Sequence, residues 1–319
     1  MTIQKVETVA GDISLGWDSP VKDIVHPYYV NLEDNNGLGW LYSFNGWMVR
    51  CGVEWSGHPG MDNGRLMSLH GKIAHIPASE VEVRVKTDGT MVLRGRVNEV
   101  WFKGANFEVW TQLELRPAAA SFKIMDTVTN LSPKEHEYAM LYHANYGRPI
   151  LGKGAKLFGT FDTVQAFDET ALSDIKNWST YEAPGHVPPG GERLYCVTPF
   201  ADGDGKAHVF FQDPTGTKGL YFKFKTRQLP YLSVWKNEDT ESNGYVTGLE
   251  PGTGFPPNRS VERKAGRQPS IKPNETKTFE LEYSLHSGIS AVNAARARVE
   301  QVVGTKTTPR LLPDVLSKQ

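Results

Sequence analysis

Several stretches of the chain hold side chains able to do proton-transfer or hydrogen-bond chemistry. Glu250 sits between Leu249 and Pro251 at the end of an apolar strand run, inside the glycine-rich segment Gly244 to Gly254. A carboxylate held there is partly desolvated, which raises its pKa and suits a general base. The competing reading is a surface glutamate at a turn. The glycines do not form a phosphate cradle, because the Gly-Lys-Ser/Thr ending is absent and no βαβ pattern surrounds them. His143 and Asn145 are two residues apart and so face the same side of a strand. The imidazole can give or take a proton near neutral pH, and the amide can fix a hydroxyl. The competing reading is a core histidine at a strand end.

The stretch from Gly60 to Ala78 gathers Asp62, Asn63, Arg65, Ser68, His70 and His75 in a loop of mixed polarity. Planar polar groups of this kind bind sugars, commonly against an aromatic face. His70 and His75 are five residues apart, so on one extended strand they point to opposite faces. A metal site using both, with His58 and His143, needs a turn between them, and no H-E-x-x-H or other metal spacing supports one. Tyr231, Ser233 and Trp235 alternate onto one face, where the indole could stack on a pyranose ring; a core aromatic is the bland alternative. No Gly-x-Ser-x-Gly elbow occurs, and neither Cys51 nor Cys196 has a catalytic signature around it.

Strands must position these groups. Val81 to Lys86 alternates apolar and charged residues, the pattern of a half-buried strand, and Asp88-Gly89 turns the chain into Met91 to Val97. Phe107 to Leu115, Phe122 to Val128, Tyr138 to His143, His208 to Phe211, Leu220 to Phe224 and Thr278 to Leu285 continue the series. The stretch Ala166 to Cys196 reads as a long loop with a short helix around Leu172 to Trp178, and long loops on a β scaffold often line the site. Apolar residues at helical spacing predict a helix over Ile289 to Val303, between Ser287-Gly288 and Gly304. The tail from Lys306 to Gln319 is polar with two prolines and is expected to be loosely held.

With 319 residues, 31 Gly and 20 Pro, the chain reads as one all-β unit, a large antiparallel β-sandwich, closing in a C-terminal helix and tail over 287–319. A net charge of -1 lacks the basic excess of a nucleic-acid binder. Nothing approaches the roughly 18 uncharged apolar residues of a membrane helix. The two distant cysteines and the lack of an apolar signal core at the N-terminus predict reduced thiols and a cytoplasmic protein.

Three segments carry a family signal together. They are Ser68 to Ile73 with Ile76-Pro77-Ala78; Tyr142 to Gly147 with Pro149 and Leu151; and Leu229 to Leu232 through Trp235-Lys236 to Gly248 to Thr253. Their order resembles the aldose 1-epimerase proteins of the galactose mutarotase-like superfamily, closest to its DUF4432 branch, from about Leu41 to Leu285. The resemblance implies a galactose mutarotase-like supersandwich and an acid–base pair, His143 as acid on the ring oxygen and Glu250 as base on the anomeric hydroxyl. It places His70 as a sugar-binding histidine, with Asn63, Arg65, His75, Asn145 and Trp235 as further pocket candidates. The family's segment around the acid departs here, reading Tyr-His-Ala-Asn-Tyr, and its sugar-binding aspartate has only Asp239 as a loose counterpart. Lys236 or Arg259 would instead favour an acidic or phosphorylated sugar.

The implied function is interconversion of sugar anomers, which needs no cofactor or metal, by a monomer or homodimer acting on a small sugar or sugar derivative. The alternatives are a carbohydrate-binding protein without catalysis and a metal-dependent sugar isomerase or lyase on the same scaffold.

Overall fold

The computed structural model describes residues 2–8, 11, 13–186, 191–305 and 308–316. Fifteen strands make its two large sheets: β1 (Met48–Val53), β2 (Glu80–Val85), β3 (Met91–Val100), β4 (Asn106–Leu115), β5 (Ser121–Asn130), β6 (Ala139–Tyr146), β7 (Lys156–Gly159), β8 (Phe161–Ala166), β9 (Arg193–Pro199), β10 (Lys206–Gln212), β11 (Lys218–Lys225), β12 (Tyr231–Asn237), β13 (Val246–Gly252), β14 (Thr276–Ser287) and β15 (Arg310–Leu312). One sheet has seven strands in the order β15-β8-β9-β12-β13-β6-β1, the other eight in the order β7-β10-β11-β14-β5-β4-β3-β2. Every pairing within them is antiparallel except β15 on β8.

The alternation read from the sequence sets the core. Phe279, Leu281, Tyr283 and Leu285 of β14 are buried, as are Phe107 and Val109 of β4. Across the layer they meet β6, whose Met140, Tyr142, Ala144 and Tyr146 belong to the same apolar cluster. Tyr283 stacks on Phe122 at 5.1 Å and meets Trp47 edge-on at 5.2 Å. One charged pair joins the sheets inside this core. Arg50 of β1 is bonded to Asp126 of β5 through Nε at 2.5 Å, and the Thr111 and Tyr142 hydroxyls donate to the same carboxylate. A buried carboxylate needs such a full set of partners, because each unmet one costs solvation energy.

The helix over Ile289–Val303, α2 here, spans the predicted range. Its buried Val292, Ala295 and Val299 recur at helical spacing and pack on Phe210 of β10. The predicted helix at 172–178 is instead α1 (Glu169–Ser173), capped by Asp168, followed by a 3-10 turn over Ile175–Asn177.

Two further expectations are corrected. The tail is tied down where it is described: β15 pairs with β8, Gln165 Nε2 donates to Asp314 O, and Val315 and Leu316 are buried. Strand β2 forms as predicted but is not half-buried, since Val81, Val83 and Val85 are all exposed. Cys51 and Cys196 are free and buried. Among the described residues no helix is long and apolar enough to cross a membrane.

Candidate functional site

Strand β6 is buried along its whole length, so both of its faces are covered. Its even-numbered residues enter the core between the sheets. Leu141 instead joins a second apolar cluster with Trp40, Phe44, Val49, Cys51 and Leu69 on the outer face of the seven-stranded sheet. His143 lies on that outer face by the same alternation. Glu250 faces it from the middle of the neighbouring strand β13 and is only 3% exposed, which overturns the surface-turn reading. Next to it, Gly248 leaves room for the carboxylate: a Cβ there would stand 2.1 Å from Glu250 Oε1 and 3.3 Å from the Trp235 ring, so the carboxylate would have to move.

These groups line a cavity of about 210 Å³ with Trp40, Phe44, His58, His70, Phe167, Asp168, Glu192 and Trp235. That volume lies below the roughly 300–1,000 Å³ of pockets for drug-sized ligands, so it suits a small ring. A larger groove of about 640 Å³ beside α2 and β7 has no histidine among its described lining residues.

His143 Nε2 lies 3.4 Å from Glu250 Oε1. Behind the imidazole, Asn145 spends its amide hydrogens on the carbonyls of Gly46 and His143, at 3.3 and 3.2 Å. Its Oδ1 therefore faces His143 Nδ1 at 2.8 Å and accepts that N–H. The lone pair of the neutral ring is left on Nε2, pointing at Glu250. Burial pushes the His143 pKa down to about 4, with the Asn145 bond acting against it. Burial, and then the charge of Glu192, push Glu250 up to about 8. With these values the pair carries one proton at neutral pH, on the carboxyl. Among the described residues Glu250 Oε1 has no hydrogen-bond partner, a buried acid oxygen held ready for one.

His70 adopts a left-handed backbone, φ 58°, ahead of Gly71, φ 76°. This turn carries its ring to 5.2 Å from His143 and 4.8 Å from Trp40, centroid to centroid. Burial and the neighbouring His143 and His58 keep it well below the ordinary histidine pKa, and its Nδ1 has no partner among the described residues. His58 stacks on Phe167 at 4.7 Å.

Of the ten acid–base and sugar-pocket candidates, His143, Glu250, His70 and Trp235 converge on the cavity, and Asn145 stands behind His143; His58, weighed only for a metal site, lines the cavity as well. The other five do not line it. Asn63 is exposed at the tip of the hairpin over 60–67, φ 50°. Arg65 pairs with Glu54 and lies over Trp55 and Trp101. His75 turns to the Ser43 hydroxyl at 2.5 Å. Arg259 is held by Asp62 and the Glu54 carbonyl. Lys236, one residue past Trp235, points to the opposite face, where Nζ donates to the carbonyls of Thr180 and Asn177 at 2.6 and 3.3 Å. With Lys236 and Arg259 elsewhere, no lysine or arginine lines the cavity among the described residues. Nor do any three His, Cys, Asp or Glu there form a group that could hold a metal ion.

The sequence reading missed Trp40, Phe44, Asp168 and Glu192, which come from segments without strand periodicity. Asp168 had a signal: it is a helix N-cap accepting from Ala171 N at 2.9 Å.

The model of a family described as "Domain of unknown function (DUF4432)" matches residues 1–285. A solved Klebsiella pneumoniae structure, described as a candidate aldose 1-epimerase, is similar at 37% identity and TM-score 0.94, covering 100% of this chain and 82% of that one. An Escherichia coli K12 candidate aldose 1-epimerase is similar at 13% identity and TM-score 0.54, covering 90% of this chain and 99% of that one. A galactose 1-epimerase from Lactobacillus acidophilus is similar at 11% identity and TM-score 0.53, covering 90% and 89%. No curated protein matches the chain. The fold is the galactose mutarotase-like one, as the motif order implies.

Proposed function

The chain belongs to the DUF4432 family, and we propose that it is an isomerase of the aldose 1-epimerase type that interconverts the anomers of a free sugar in the cytoplasm. The observation that carries this reading is the His143–Glu250 pair, 3.4 Å apart at a small cavity, with pKa values near 4 and 8.

Ring opening needs one group to protonate the ring oxygen while another takes the proton of the anomeric hydroxyl. Rotation about the C1–C2 bond of the open chain and closure on the other carbonyl face then return both protons. The pair ends as it began, so a site holding one proton between two bases is sufficient. The family resemblance implies that His143 makes the first donation. The pKa order favours Glu250 as first donor and the Nε2 lone pair of His143 as first acceptor. Each group donates once and accepts once in a complete cycle under either order. Asn145 fixes the tautomer, and Trp40, Phe44 and Trp235 supply apolar faces for the ring.

Among the described residues three carboxyls, Asp168, Glu192 and Glu250, line the cavity and no lysine or arginine does. This disfavours phosphorylated and acidic sugars and favours a ring whose hydroxyls donate to carboxylates. Polarimetry on freshly dissolved single anomers tests the reading. The expected result is relaxation of optical rotation faster than in buffer for a neutral sugar and not for its uronic acid or phosphate. Saturable binding with no acceleration for any sugar would instead identify a carbohydrate-binding protein.

A further inference from the structure

We infer that the free edge β2 is the two-fold interface of a homodimer, formed by antiparallel pairing of Glu80–Val85 with the same strand of a second copy. Strand β2 ends the eight-stranded sheet and pairs only with β3, so one row of its backbone N–H and C=O groups is open. Its core-side face is open as well. The row Val83, Leu93, Leu113, Ile124 runs from this edge inward, and burial rises along it: Val83 is 64% exposed, Leu93 and Leu113 are half-buried, and Ile124 is 1% exposed. Val81 and Val85, 61% and 64% exposed, flank Val83 on the same face. A strand whose apolar side stays in water to this extent is a strand that lacks a neighbour.

The charges on the other face say which neighbour fits. They read Glu80, Glu82, Arg84, Lys86, acidic first and basic second. An edge protected against pairing does not need this order, since charges of one sign repel any copy. Here a two-fold axis through Val83 places Glu82 opposite the partner's Arg84 and Glu80 opposite the partner's Lys86. The same axis sets Val81 against the partner's Val85 and Val83 against its own copy. Cross-strand pairs of opposite charge and of β-branched residues both stabilise a ladder. Within the chain, Glu80 and Glu82 already touch Arg96 and Arg94 of β3 at 3.1 and 3.5 Å, whereas Arg84 makes no ion pair among the described residues. Arg84 is the charge that a second copy would satisfy.

A six-residue edge buries less than the roughly 800 Å² per partner of a standard interface, so the dimer is concentration-dependent. Sedimentation equilibrium of the full chain over a concentration series reads it directly. Wild type should move from 35.5 kDa toward twice that mass. Arg84→Glu alone and Glu82→Arg alone should each remain monomeric, because each sets like charges opposite one another. An equimolar mixture of the two should regain the doubled mass, since the first variant presents only acidic side chains at these two positions and the second only basic ones. The regained mass also confirms that both variants are folded. A wild type that stays monomeric throughout, a dimer indifferent to both substitutions, or variants that do not recombine would each overturn the inference.

Discussion

Asn145 Oδ1 accepts the Nδ1 hydrogen of His143 at 2.8 Å, and this one contact decides that the other ring nitrogen presents a lone pair to Glu250. Asn145 is fully buried and committed to protein groups, so it acts on the reaction only through the imidazole. Asn145→Leu removes the acceptor and frees the tautomer. The expected loss is about 10²-fold in kcat with KM within about threefold, on the pattern of histidines that lose their orienting partner. A large rise in KM with kcat intact would instead put Asn145 on the sugar.

The two shifted groups set a pH window. Below about 4 both His143 and Glu250 are protonated and no acceptor is left; above about 8 both are deprotonated and no donor is left. The kcat/KM profile should therefore be bell-shaped with limbs near those values. Glu192 helps hold Glu250 up by its charge, so Glu192→Gln should move the alkaline limb to lower pH. An unmoved limb, measured in the same buffers, contradicts this coupling.

The same shift costs stability. The folded Glu250 pKa, about 8, is raised above the ordinary carboxylate value of 4.5. The folded state binds the proton more tightly, so this stabilisation is complete below about pH 4.5 and is lost as pH rises through 8. Glu250→Gln keeps the shape without the ionisable group. Its advantage over wild type should grow between pH 5 and 8 to roughly 1–3 kcal/mol, read from urea midpoints.

The Arg50–Asp126 pair bridges the two sheets from β1 to β5. Asp126→Ala leaves a buried guanidinium without its carboxylate and should destabilise the fold by about 3–5 kcal/mol. Arg50→Met/Asp126→Leu together should cost much less than the sum of the single changes. Additive losses would show that the charges matter only through packing.

How much of this was legible follows from periodicity. Strands β4 and β14 were readable because one face is buried and the other wet, and α2 because Val292, Ala295 and Val299 share one stripe. Period-two reasoning also held the correction to Lys236: a residue after Trp235 on one strand must face the other way, toward the carbonyls of Thr180 and Asn177. What the sequence does not contain is register between distant strands. That His143 and Glu250 are neighbours depends on β6 pairing with β13, with Ala144 opposite Leu249. Strand β2 misled because alternation reports a face that could be buried, while its burial depends on whether anything covers it.

The central claim is acid–base catalysis of anomer exchange by His143 and Glu250, and two-dimensional NMR exchange spectroscopy on a neutral sugar tests it most directly. The account predicts cross-peaks between α and β anomers that grow with wild-type protein, and exchange at the buffer rate with folded Glu250→Gln or His143→Asn. Exchange at the wild-type rate in either variant would contradict it.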